Sequence, residues 1–294
     1  KARYTMHLLK RSANKDADME KVLEYVDNSF ESAEEQAAFD VYDANNINPL
    51  YGFFVARAGL GASESMRSKL AEYNDPRLSR AFITKQGASG KEQAPGTADN
   101  AVYAPNGTPE QGTSKYGTSL FMYSISAPTL LLSYHELKFL EAEALCRLER
   151  DAKSALKDAV VAGLLNAENS FTISRKELGK TLINAASSIT EAEAESYFDN
   201  TIEAKYTAEP LKTTMIQKYF ALWGASGEAT ESYNDVRRMK GLGENFIELK
   251  NPNSFPLRCP YGNSDTTTNA EVKAAYGNGQ YVYSENVWWA GGSR

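Results

Sequence analysis

The chain has 294 residues, 42% of them hydrophobic and 24% charged, with a formal net charge of −6 at pH 7. That is the balance of a soluble globular protein, with no basic field to draw nucleic acid and no run near the roughly 20 apolar residues of a membrane span. Its two cysteines and two histidines form neither a CxxC nor an HExxH pattern, so they outline no metal site and imply no cofactor.

The opening KARYTMHLLKR places Ala2, Met6, Leu9 and Ala13 at helical spacing from the first residues. It carries neither an initiator methionine nor a signal-peptide pattern, and reads as part of a longer or processed protein. A second helix follows over 17–29, with Met19, Val22, Leu23, Val26 and Phe30 on one face, and Ser32 and Glu35 are spaced as a capping box for a third. From 40 to 128 the pattern weakens. NNINPLYG, NDPRL, KQGASGKEQAPGTADN and APNGTPEQGTSKYG are rich in Gly, Pro, Ser, Asn and Thr and read as loops, interrupted by a short helix over 63–73. Loops of this length are uncommon unless functional or disordered, so 85–120 is the first place to look for a binding surface.

Order returns at Pro128. A helix over 133–149 pairs with one over 152–165, where Ala152, Ala155, Leu156, Ala159, Val160 and Leu164 share a face. Residues 190–206 and 211–223 make a third pair; Ile216, Tyr219, Phe220 and Trp223 form its stripe and Gly224 stops it. A further helix over 228–240 carries YNDVRR, and 241–294 is irregular, ending in VWWAGGSR. Strand signals are confined to 121–125 and 281–283. The spacing predicts an all-α fold of tetratricopeptide-like helical hairpins (1–30, 133–166, 190–240) with long irregular loops and minor short strands, a single domain over 1–294 shortened at its N-terminus. The consensus residues of that repeat are absent, so the likeness is geometric.

The segment SYHELKFLEAEALCRL, residues 133–148, gathers carboxylates around one of the two histidines. A catalytic cluster and the grammar of a helix both fit this composition. Ser133 and Glu136 have the S-x-x-E spacing of a capping box, as do Thr190 and Glu193. Leu137, Leu140, Ala144 and Leu148 give the buried stripe. His135 is expected to be packed or hydrogen-bonded, Glu141 and Glu143 paired or solvated, and Cys146 a buried small thiol. Asp235, Arg237 and Arg238 fit a clamp for a carboxylate or phosphate and also intramolecular ion pairs, the commoner use. Arg77 is expected to pin the turn shaped by Asp75 and Pro76.

Taken together these segments resemble the SusD/RagB family, the surface nutrient-binding lipoproteins of Bacteroidetes. The resemblance is carried, in order, by KARYTMHLLKR, NDPRL, APTLLLSYHELKFLEAEALCRL, IQKYFALWG…ATESYNDVRRMKG and FPLRCPYGNSD…VWWAGGSR. Tyr233 stands where the family commonly has Trp, RRMKGLGE lacks the usual proline, Gly262 replaces a proline after Tyr261, and Cys259 occupies a usually apolar position; the chain is similar to a divergent, SusD-like branch. The resemblance covers the later portion of a typical member.

What the resemblance implies is a non-enzymatic protein of the outer-membrane cell surface. It would be held by a lipid anchor absent from this chain, and would capture oligosaccharide or polysaccharide for import through a partner SusC-like TonB-dependent transporter. Family sites draw on loops before the Pro-led helix, which points here to Tyr103, Asn106, Tyr116 and Phe121, flanked by Asn100 and Lys115. Aromatic rings would stack on the apolar faces of sugars and polar groups would bond their hydroxyls, in keeping with 17 tyrosines and three tryptophans. Capture of peptide, or a helical protein-interaction scaffold without a small ligand, are the alternatives; a glycoside hydrolase would need two free carboxylates across a cleft.

Overall fold

Helix α1 (Ala2–His7) ends sooner than its apolar spacing predicts. After Leu8 the chain tightens into a 3₁₀ turn, Leu9–Arg11, and α2 (Lys15–Asp27) begins behind Asn14, whose side chain accepts from the Ala17 amide at 3.1 Å. The structure is a computed structural model that describes residues 1–57, 60–83, 102–107, 115–178, 187–225, 227–251, 254–287 and 292. The chain divides into two compact units, Lys1–Glu248 and Leu249–Arg294.

The expected capping box of Ser32 and Glu35 does not form. Ala33–Glu35 is a single 3₁₀ turn, Ser32 makes no capping bond, and Glu35 accepts instead from the Glu31 amide at 2.8 Å. Strand β1 (Ala37–Phe39) follows directly. The short helix expected over 63–73 forms as α4 (Glu64–Glu72), and the region read as loops holds two more: α3 (Pro49–Arg57) before it and α5 (Arg77–Ala81) after it. Pro49 suits a first helical position, and buried Asn48 accepts from the Leu50 amide while its Nδ2 donates to the Ala127 carbonyl at 2.8 Å. Because LYGFFVA is apolar almost throughout, α3 offers no period to read.

Strands β2 (Phe82–Ile83) and β3 (Thr118–Ser119) form one antiparallel pair, and β1 and β4 (Thr129–Leu132) another, with Ala37 opposite Leu132 and Phe39 opposite Thr129. Residues 121–125 are not the expected strand. Leu120–Tyr123 is a 3₁₀ turn behind Ser119, and in place of the second expected strand there is a turn over 282–284.

Helix α6 (Tyr134–Arg147) is the centre of the first unit. Leu137, Leu140 and Ala144 meet Met6, Leu9, Met19 and Val22, while Phe139 and Ala142 face Leu156, Leu164 and Phe220. Helix α7 (Lys153–Leu178) continues well past 165 because its buried stripe runs on through Ala167 and Phe171. Next come α8 (Glu191–Tyr197), a π-helical segment Phe198–Ile202, α9 (Glu203–Ala208), α10 (Pro210–Leu222) and α11 (Ala229–Leu242). Helices α7 and α10 approach so closely that a Cβ on Gly163 would lie 2.9 Å from that of Ala221. Gly224 (φ 80°) ends α10 as its position predicts, and Thr190 and Glu193 make the reciprocal box expected at the start of α8. The result is an all-α fold of helical hairpins with minor strands.

The second unit holds α12 (Asn263–Thr268) and α13 (Ala270–Tyr276) where irregular chain was expected. Tyr261 and Tyr276 stack at 4.3 Å in this unit, with the Arg258 guanidinium 4.8 Å from the Tyr261 ring. Most of the final VWWAGGSR lies outside the described residues.

Candidate functional site: a braided loop surface beside a buried ionic network

Three pieces of the loop region are laced by backbone hydrogen bonds. The Ala104 amide donates to Ala62 at 2.8 Å and Glu64 returns to Ala104 at 3.0 Å. Ala62 donates to Gly117 at 2.9 Å, and Gly117 to Val102 at 2.8 Å. Gly117 is required here, since a Cβ would stand 2.7 Å from both the Ile83 carbonyl and the Tyr103 ring.

The braid brings together Tyr103, Asn106 and Tyr116, and buries its rings. Tyr103 is 5% exposed, Tyr116 5% and Phe121 3%. Tyr103 meets Phe82 edge-on at 5.3 Å, Phe82 stacks on Trp223 at 5.1 Å, and Trp223 meets Phe121, which leans on Phe171 at 4.6 Å. These aromatics form a ladder from the braid into the core, so their faces are engaged by protein. Burial pushes the Tyr103 hydroxyl up despite the Arg67 charge, and it remains a neutral donor.

The groups turned outward are polar. Half-buried Asn106 accepts from the Ser63 hydroxyl at 2.7 Å. The exposed Arg67 guanidinium stands 5.2 Å from the Tyr103 centroid, and the Lys115 ammonium 5.2 Å from that of Tyr116. Arg67 carried no sequence signal beyond lying on an outer helix face. Asn100 lies outside the described residues.

Of the α6 carboxylates, Glu136 and Glu143 belong to a buried ionic chain. Arg3 donates to Glu136 at 2.8 Å and to Glu228 at 2.8 Å; Lys218 pairs with Asp235 at 2.8 Å, and Asp235 with Arg238 at 2.7 Å. Arg238 continues to Glu143 at 2.8 Å, Arg147 joins Glu143 at 2.8 Å, and Arg147 reaches Glu244 at 2.8 Å. The chain ties α1, α6, α10 and α11 together. Burial works to raise Glu143, but the Arg238 and Arg147 charges outweigh it and hold it well below the usual carboxylate range.

Glu136 is not the second half of a capping box, as expected. Its amide does donate to Ser133 Oγ at 3.1 Å, but its carboxylate goes to Arg3, and Glu228 takes the Ser133 amide at 2.7 Å. Burial, opposed by Arg3 and Lys218 and reinforced by Glu228, pushes Glu136 up to about 7. His135 is packed, as expected, and burial pulls it down to about 4. Arg77 pins its turn with two bonds to Asp75, at 2.8 and 2.6 Å. Arg237 stays outside the ionic chain and donates to the Tyr233 hydroxyl at 3.2 Å. Cys146 is half-buried against the Thr214 hydroxyl, Cys259 is exposed, and both are free thiols. With its charges turned on one another, the network holds hairpins in place and offers no free acid–base pair.

A helical-hairpin scaffold carrying a loop-built surface defines the class, and comparison gives the family. The family described as starch-binding and associating with the outer membrane matches residues 1–261. The chain belongs to this SusD-like family. A SusD/RagB family protein from Bacteroides thetaiotaomicron VPI-5482 is 65% identical with a TM-score of 0.91, the match covering 100% of this chain and 63% of that one. A SusD homolog from Bacteroides fragilis NCTC 9343 (19% identity, TM-score 0.66, 98% of this chain and 65% of that one) and a chitin-binding protein (17%, 0.62, 99% and 62%) share the fold. The chain thus spans less than two thirds of each relative's length. No curated protein matches it in sequence. Among the described residues no helix is long and apolar enough to cross a membrane.

Proposed function

We propose that this protein captures a glycan at the outer-membrane surface, without chemically altering it, for import through a partner SusC-like TonB-dependent transporter. The observation that carries this reading is the family match over residues 1–261, whose family is described as starch-binding. The geometry of the braid supports this reading. The braid presents Asn106, Ser63, Arg67 and Lys115 outward, while Tyr103, Tyr116 and Phe121 underpin them. Amide, hydroxyl and guanidinium groups on a rigid base suit a rim of sugar hydroxyls. Against hydrolysis stands the fate of the helix carboxylates: Glu136 and Glu143 are committed to Arg3 and Arg238. Anchoring to the membrane would be through a lipid.

Native affinity gels cast with soluble starch, amylopectin or chitin oligosaccharide conjugates test this reading. Retardation by one glycan, with the glycan recovered intact, is the expected result. No retardation by any, alongside binding of a peptide library, would replace it with peptide capture.

A further inference from the structure

At the opposite end of α4 from the braid, the turn after α4 and the outer side of α8 enclose an open depression of about 520 Å³. Its floor includes Pro76 and the ring of Tyr197, and its rim carries Asn74, Ser196, Asn200 and Thr201. The floor is fixed from beneath: the Tyr197 hydroxyl donates to Asp75 at 3.3 Å, and Asp75 is gripped by Arg77.

The rim is neutral and partly uncommitted. Asn200 Nδ2 donates to the Ser196 carbonyl at 2.9 Å and its hydroxyl at 3.0 Å, which leaves Asn200 Oδ1 unengaged. The Asn74 side-chain amide and the Thr201 hydroxyl have no partner among the described residues. The charged member of the lining, Glu193, is held in the α8 capping box.

Local structure aims these groups. The π-helical segment buries Phe198 and Ile202, leaving Asn200 exposed and Thr201 half-buried. Asn74 (φ 49°) caps α4 in the left-handed conformation, with the Asp75 amide reaching Leu70 at 2.9 Å. A glycine would serve that cap equally, so the fold does not need the amide.

We propose that this depression is a second contact for the glycan and takes one neutral sugar unit; this rests on the glycan reading above. An apolar sugar face lies over Pro76 while its hydroxyls bond Asn74, Asn200 and Thr201. The nine residues of α4 set the two contacts about 14 Å apart along the helix axis. A glycan chain engaging both gains from the high effective concentration of its second contact.

The test is affinity electrophoresis of the full chain on the same glycan panel, comparing wild type with Asn74→Gly and Thr201→Val. Both substitutions keep the backbone and remove one polar group, so unchanged melting temperatures are the control. About fivefold weaker binding for each is expected, the worth of one lost hydrogen bond. Retardation of wild type and both variants alike overturns the second contact and leaves glycan capture standing. Failure of wild type to bind any glycan overturns both.

Discussion

Glu228 accepts the backbone amide of Ser133 at 2.7 Å across 95 residues of sequence. It thereby completes the N-terminus of α6 in place of Glu136, and it simultaneously binds Arg3. One carboxylate, on the residue just before α11, therefore joins a helix cap to an ion pair. Replacing it by alanine leaves a buried amide unpaired and Arg3 with a single partner. Breaking such a pair costs about 3–5 kcal/mol. We expect E228A to lower the urea midpoint strongly while E141A, a carboxylate paired near the surface, changes it by less than about 1 kcal/mol. Equal losses in the two variants would mean that Glu228 caps nothing of consequence.

The helix starts and stops that were legible depend on residues a few positions apart. Thr190 with Glu193 and the stop at Gly224 are of this kind, and both formed. The Ser133–Glu136 spacing carried the same signal and was only half right, because Arg3, 133 residues away, competes for the carboxylate. Helix α3 escaped notice for lack of a polar face, and the far half of α7 because polar Glu168, Ser170 and Ser174 stand among its buried residues. The candidate site was legible as a region. Tyr103 and Tyr116 in a Gly- and Pro-rich stretch resemble exposed stacking rings, yet the braid that buries them is made by segments distant in sequence, which no local period announces.

Arg238 is shared between Glu143 and Asp235 with almost no exposure. R238M should cost about 3–5 kcal/mol, since Glu143 would keep only Arg147. Adding E143L to R238M removes the stranded charge and should recover much of that loss. A double-mutant cycle by chemical denaturation should therefore show coupling of roughly 0.5–3 kcal/mol. Strict additivity would count against a shared network.

His135 and Glu136 are adjacent and respond to pH with opposite signs. His135 is pulled from 6.5 to about 4, so its stabilisation is full above pH 6.5 and is lost as pH falls through about 4. Glu136 is pushed from 4.5 to about 7, so its contribution is full below pH 4.5 and is lost as pH rises through about 7. Between 4.5 and 6.5 the two offset. In H135Q, stability should therefore climb as pH drops from 7 to 4.5, and in E136Q it should fall from 6.5 toward 4. Each trend is on the order of 3 kcal/mol. Denaturation profiles of the same slope in both variants would contradict the assignment.

The division between ladder and rim separates stability from binding. Phe121 touches Phe171 and Trp223 deep in the core, so F121A should cost about 3–5 kcal/mol, and Y103A and Y116A should also lower the melting temperature. Their loss of glycan binding would then follow unfolding of the braid. Arg67 and Asn106 lie on the outside, and R67A and N106A should change stability by no more than about 0.5–1 kcal/mol. Each should weaken retention on the glycan gel about fivefold or more, by loss of a direct hydrogen bond. Thermal melts run on the same samples distinguish the two effects. Intact retention in R67A and N106A would move the contact surface away from the braid, because no ring beneath it is exposed enough to hold a sugar alone.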